Sequence, residues 1–112
     1  MRLYECIFII RQDMAAQDIH KFSEEYQNNI KKMGGQIIKK EYWGLRSLAY
    51  EINKNKKGYY IFFGLNVTPA IISKIENNFK VSEDVLKFLT IRVNQIGENP
   101  SLMMQTPSEI KK

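Results

Sequence analysis

The chain has 112 residues, 44% of them apolar, and its 17 lysines and arginines outweigh 12 acidic residues to give a net charge of +5. That length fits one domain around one core, and the composition excludes a disordered or repetitive chain. The longest uninterrupted apolar run, Cys6–Ile10, is far too short for a membrane span.

The first residues lack the apolar core and cleavage site of a secretory signal. A single cysteine allows no internal disulfide, and a reducing cytoplasmic setting is the expectation. Leu3–Ile10 is dense in β-branched and aromatic residues and reads as a buried strand, with Cys6 acting as a small hydrophobe inside it. From Met14 to Met33 the period changes. Ile19, Phe22, Tyr26, Ile30 and Met33 recur at steps of three and four on one helical face, and Gly34-Gly35 offers the positive φ that ends a helix. Ile37–Trp43 reads as a second strand. A long joining segment then runs to Gly58.

Tyr59–Val67 is the clearest strand, with Tyr59, Ile61, Phe63, Leu65 and Val67 alternating onto a core face. Thr68 and Pro69 have the character of an N-cap and a first helical residue, and Ile71, Ile72, Ile75 and Phe79 follow at helical spacing. Val85–Val93 is the last strand. Its phase is expected to put Leu89, Ile91 and Val93 on one side and Phe88, Thr90 and Arg92 on the other, away from the helices. Residues 94–112 show neither period and are expected to form a mobile tail, ordered by a partner through Leu102, Met103 and Met104.

Strand, helix, strand, strand, helix, strand is the ferredoxin-like α+β plan: a four-stranded antiparallel sheet with two helices on one face. Residues 1–93 would form that domain, and each helix has a single apolar stripe, leaving the other sheet face open.

Catalytic chemistry is hard to assemble from these residues. His20 is the only histidine and Cys6 the only thiol, which rules out a two-histidine metal site, and no third group orients them as nucleophile and base. Gly34-Gly35 lacks the Lys-Ser/Thr of a phosphate loop. The acidic pairs Glu24-Glu25 and Glu83-Asp84 read as solvated charges. A non-enzymatic protein with no cofactor is expected.

Charge is the more telling signal. From Lys39 to Lys57 six basic residues face two acidic ones, Glu41 and Glu51, a surplus of four out of the net five. Such a concentration with aromatic edges suits a phosphate-backbone partner. Arg46 offers a planar fork for two hydrogen bonds to a phosphate, with an ion pair to Glu41 or Glu51 as its structural alternative. Its truncation is expected to weaken RNA binding and leave stability almost unchanged. Lys54, Lys56 and Lys57 would add point charges without base readout, and Arg92 would carry charge onto the open face. Tyr60, Phe62 and Phe88 form an apolar set suited to docking a protein, and Tyr50 reads as an anchor of the joining segment.

The RNA-recognition motif shares this topology but fits poorly. Lys57-Gly58-Tyr59 opens well, yet Tyr60 stands where Gly or Ala belongs, and Gly64 falls where the last aromatic should be.

A closer match lies in Gly44-Leu45-Arg46-Ser47-Leu48-Ala49-Tyr50-Glu51-Ile52-Asn53, which resembles the signature of the bacterial small-subunit ribosomal protein six family. Gly58-Tyr59-Tyr60, Met1-Arg2-Leu3-Tyr4-Glu5 and Val85-Leu86-Lys87-Phe88 are also similar, so the resemblance covers residues 1 to 93. Ser47 departs from the usual charged or amide residue. The resemblance implies a ribosome-associated structural protein that binds the central domain of small-subunit ribosomal RNA together with ribosomal protein eighteen. It carries over Arg2, Arg46 and Lys87 as RNA contacts. The competing reading is a homodimeric ferredoxin-like module for a small ligand or for regulation.

Overall fold

A computed structural model describes residues 1–98. Six elements follow in order: β1 (Arg2–Arg11), α1 (Ala16–Lys32), β2 (Gln36–Ile52), β3 (Asn55–Val67), α2 (Pro69–Val81) and β4 (Val85–Val93). The strands form one antiparallel sheet in the order β2-β3-β1-β4, and both helices cover the same face. This is the ferredoxin-like arrangement expected from the element order. Among the described residues, no helix is long and apolar enough to cross a membrane.

Local chemistry sets the helix ends. Thr68 Oγ1 accepts a hydrogen bond from the Ile71 backbone N–H at 3.3 Å and Pro69 follows at the first helical position, so α2 starts with one orphan donor satisfied and none wasted. At the end of α1, Gly34 takes φ +90°, which lets the Gly34 and Gly35 N–H groups turn back to the carbonyls of Lys31 and Ile30.

Phe8 is the centre of the core. Fully buried in β1, its ring lies 4.9 to 6.2 Å from the rings of Phe22, Tyr26, Phe63 and Phe79, so both helices and two strands meet on one side chain. Cys6, Ile10, Ile61, Leu65, Val67, Ile19, Ile30, Ile72 and Ile75 fill the surrounding space.

Two features depart from the expected pattern. The segment 44–58 is not a connecting loop. β2 continues to Ile52, and a two-residue turn at Asn53 and Lys54, with φ of 46° and 66°, returns the chain into β3. Both turn residues are left-handed, as a tight hairpin matching the sheet twist requires. The second departure is in β4, where Ile10 pairs with Val85 but Ile9 pairs with Lys87, so Leu86 is an extra residue in a bulge. A bulge reverses the alternation. Val85 and Phe88 therefore both face the helices, and Leu89 and Ile91 face the open side.

Burial raises the Cys6 thiol to about 12, against a partial lowering by the Thr90 hydroxyl 3.9 Å away and a small further rise from Glu76. The folded state thus holds this proton where the unfolded chain releases it. The stabilisation is full below the unfolded value near 9 and declines as pH climbs from there toward 12. Urea midpoints of the wild-type chain should fall more steeply between pH 8.5 and 9.5 than those of Cys6→Ala. Parallel curves would show that the thiol stays protonated in both states or ionises in both.

Candidate nucleic-acid interface

The hairpin of β2 and β3 builds the candidate site. Its paired length ends at Ser47 with Lys57. The next pair is Ile52 with Asn55, so residues 48–51 all lie opposite Lys56 and bow out of the ladder. Leu48 packs above Gly58, and Tyr50 crosses to β4, where its hydroxyl is 3.1 Å from Lys87 Nζ and its ring lies under the same ammonium at 5.3 Å. A cation over an aromatic face adds a modest attraction at an exposed site. Gln12, just past β1, steadies the turn from the other side: its backbone N–H donates to Asn55 Oδ1 at 3.0 Å and its side chain accepts from the Lys57 N–H at 3.1 Å.

These contacts place Lys54 and Lys56, both exposed, at the tip, with Lys57 and Lys87 behind them at the same end of the sheet. Arg2 and Arg92 are exposed toward the opposite end, Arg2 about 30 Å along β1 from Arg11 and Arg92 about 17 Å along β4 from Lys87. Arg92 pairs with Tyr4, whose side chain packs on the core, so its charge emerges on the helix side of the sheet and not on the open face.

Arg46 differs from its expected setting. Its side chain is only 9% exposed, and its Nε donates to the Trp43 carbonyl at 2.9 Å. The local cause is a bulge at Trp43, between the pairs Tyr42–Ile61 and Gly44–Tyr60, with Gly44 at φ +81°. Trp43 turns onto the open face and stacks on Phe62, with centroids 5.6 Å apart and planes 9° from parallel. Its indole N–H donates to Glu41 Oε1 at 2.8 Å, and Lys39 Nζ lies 3.6 Å from Glu41 Oε2.

The apolar docking set is also rearranged. Tyr60 is on the open face and half-buried. Phe62 is there too, but closed over by Trp43 and by Lys39, whose ammonium is 5.8 Å from the ring centre. Phe88 lies on the other side, 5.4 Å from Phe79, as part of the core boundary. In its place the open face presents Leu89 at 51% exposure and Ile91 at 45%. Tyr50 does anchor the bowed segment, to Lys87. Sequence reading missed Leu89 and Ile91 because nothing in Val85-Leu86-Lys87 marks the bulge. It missed the Glu41–Trp43 pair as well, although a carboxylate two residues from the one tryptophan was a usable sign.

The tail expectation falls partly on Leu102, Met103 and Met104, which lie outside the described residues. Asn94–Glu98 are described and fold back over the open face: the Gly97 carbonyl accepts a hydrogen bond from Lys39 Nζ at 2.8 Å.

A family model, Ribosomal protein S6, matches residues 3–92, almost the whole span from β1 to β4. This chain belongs to the ribosomal protein S6 family. It is 48% identical over 108 residues to the small ribosomal subunit protein bS6 of Rickettsia canadensis, a match covering 96% of this chain and 89% of that protein. The small ribosomal subunit protein bS6 of Paramagnetospirillum magneticum is 45% identical over the same length, with 75% of that protein covered. A crystal structure of 30S ribosomal protein S6 from Thermotoga maritima has a similar fold, with a TM-score of 0.77 at 28% identity over 82% of this chain and 87% of that one. Among the described residues no group of three or more His, Cys, Asp or Glu is placed to hold a metal.

Arg46→Ala should lower stability, by about 1–3 kcal/mol, because it strips a bond from the bulge carbonyl and opens a buried space. The urea midpoint at constant m-value reads this directly. An unchanged midpoint would restore the earlier picture of Arg46 as a purely external phosphate ligand.

Proposed function

We propose that this chain is a structural constituent of the small ribosomal subunit, binding the central domain of small-subunit ribosomal RNA together with ribosomal protein eighteen. The observation that carries the reading is the similarity to small ribosomal subunit proteins over 96% of the chain. The geometry supports it, since a braced hairpin holds several lysines outward at one end of the sheet.

In this reading Lys54, Lys56, Lys57 and Lys87 meet the phosphate backbone as one group, and Arg2 and Arg92, toward the other end of the sheet, meet a second stretch of RNA. Contacts of this kind position the protein and read folded shape, not base sequence. Arg46 serves the interface chiefly by holding the bulge that aims the hairpin. The protein partner docks on the open face, where Leu89, Ile91, Tyr60 and Tyr50 provide apolar and amphipathic surface. A ribosomal role places the chain on the ribosome, in the cytoplasm, without a catalytic step.

The decisive experiment is sedimentation of the tagged chain in lysate at high and low magnesium. The chain should travel with the small subunit and follow it when the subunits separate. Migration as a small free protein or a homodimer in both conditions would replace the ribosomal reading with a small-ligand module.

Affinity for the RNA should fall steeply with salt, because each neutralised phosphate adds roughly 0.7 to 0.9 to the log–log slope. Lys54→Ala combined with Lys56→Ala should reduce that slope by about one to two and leave the urea midpoint unchanged, since both side chains are exposed. A slope equal to wild type would remove the hairpin tip from the RNA contact.

A further inference from the structure

The open face is not evenly bare. Leu89 and Ile91 of β4 are about half exposed, whereas Phe62 of β3, on the same side, is only 4% exposed. Part of that cover is Lys39, whose ammonium the segment after β4 also binds. Val93 pairs with Leu3 at the β1–β4 edge, yet four residues later the Gly97 carbonyl is bonded to Lys39 on β2, the opposite edge strand. Between them Ile96 settles on Gly64 of β3. A Cβ built at position 64 would stand 3.0 Å from both Cδ1 and Cγ2 of Ile96 and 3.2 Å from the Lys39 Cβ, so a side chain at 64 would push Ile96 off its seat by a few tenths of an ångström. Lys39, held by Gly97, is also the side chain whose ammonium lies over Phe62 and beside Glu41.

Among the described residues, Ile96 on Gly64 and the Lys39–Gly97 hydrogen bond seat this five-residue stretch, and its side chains at 94, 95 and 98 are exposed. The minor state of such a two-state element is populated on the order of 0.1–10 per cent.

We propose that Asn94–Glu98 is a displaceable strap: in the free protein it occupies the β2–β3 half of the open face, and it must lift for the protein partner, docked on Leu89 and Ile91, to extend across that half. The inference rests on the partner reading of the preceding subsection. It also specifies what the face accepts. Gly64 takes an aliphatic side chain and Lys39 takes a backbone carbonyl, so the displacing group is an extended protein segment that offers both, as Ile96 and Gly97 do.

The test uses the full chain carrying Ile96→Asp, with Gln95→Asp as a charge-matched control at an exposed neighbour. Trp43, the only tryptophan, is stacked on Phe62 and bonded to Glu41, the two groups that Lys39 also contacts, so a Lys39 released by Gly97 is read at Trp43. Acrylamide quenching of Trp43 should rise in Ile96→Asp and stay at the wild-type level in Gln95→Asp. Purified ribosomal protein eighteen should bind Ile96→Asp about tenfold more tightly than wild type, as expected when only about one-tenth of the free protein is open. Ile96→Ala should move both readouts the same way to a smaller extent, and it takes over if Ile96→Asp lowers the urea midpoint. Unchanged quenching in both Ile96 variants overturns the strap. Equal affinity of variant and wild type overturns the competition but leaves the partner reading in place, whereas no binding by either chain overturns both.

Discussion

A carboxylate with 6% exposure on a strand of an otherwise open sheet face constrains everything around it. Burying an unpaired charge costs several kcal/mol, so Glu41 has to recruit partners from its own strand. It does so from two positions along β2 in either direction: the Trp43 indole N–H at 2.8 Å and the Lys39 ammonium at 3.6 Å. Each recruited side chain then has a second consequence. Trp43, fixed by the bond, lies flat on Phe62. Lys39, drawn inward, reaches both the Phe62 ring and the Gly97 carbonyl. The bulge that lets Trp43 lie there leaves its carbonyl to be capped by Arg46. The chain of contacts from Gly97 through Lys39, Glu41 and Trp43 to Arg46 thus runs the length of the hairpin base and is anchored on one acid.

That arrangement explains why the plan of the fold was legible in the sequence while its surface was not. Core periodicity is a property of many residues at once. The helical stripe of Ile19, Tyr26 and Ile30 and the alternation from Tyr59 to Val67 survive any single irregularity, and both helices and the strand order followed from them. Caps were legible too, because Thr68-Pro69 and Gly34-Gly35 announce a specific backbone geometry. The irregular positions carry no such redundancy. A bulge is one extra residue, and Leu86 resembles any strand residue, yet it moved Phe88 and Arg92 to one side of the sheet and Leu89 and Ile91 to the other. Likewise Asn53-Lys54 lacks the Asn-Gly pair that signals a tight hairpin, so Asn53 and Lys54 adopt left-handed φ with no glycine to advertise it. Gly44 is a visible glycine, but a strand ending at Trp43 with Gly44 opening the joining segment fits the sequence as well as Gly44 as the pivot of a bulge.

The candidate site shows the same division. The basic residues were found by composition and by motif, and charge counting needs no structure. Arg46 could not be assigned by counting, because its burial depends on where Trp43 turns, which in turn depends on Glu41. A surface arginine and a buried one are identical in a sequence; the difference lies in what the backbone two or three residues away leaves unsatisfied.

Bracing the hairpin also bears on the binding we propose. A lysine on a floppy loop must lose backbone and side-chain freedom when it meets a phosphate, and ordering one residue's backbone alone costs about 1–2 kcal/mol. Here Gln12, just past β1, holds Asn55 and Lys57, and Tyr50 ties the bowed segment to Lys87 across the sheet. The backbone beneath Lys54, Lys56 and Lys57 is therefore fixed before any partner arrives, and only the flexible stems remain to be ordered. This separates two kinds of residue that a mutational scan would otherwise mix. Removing a tip lysine deletes a charge and little else, whereas removing Gln12 or Tyr50 leaves every charge present and returns the ordering cost to the binding step. The first kind lowers the salt dependence of binding; the second weakens binding at every salt concentration by a similar factor.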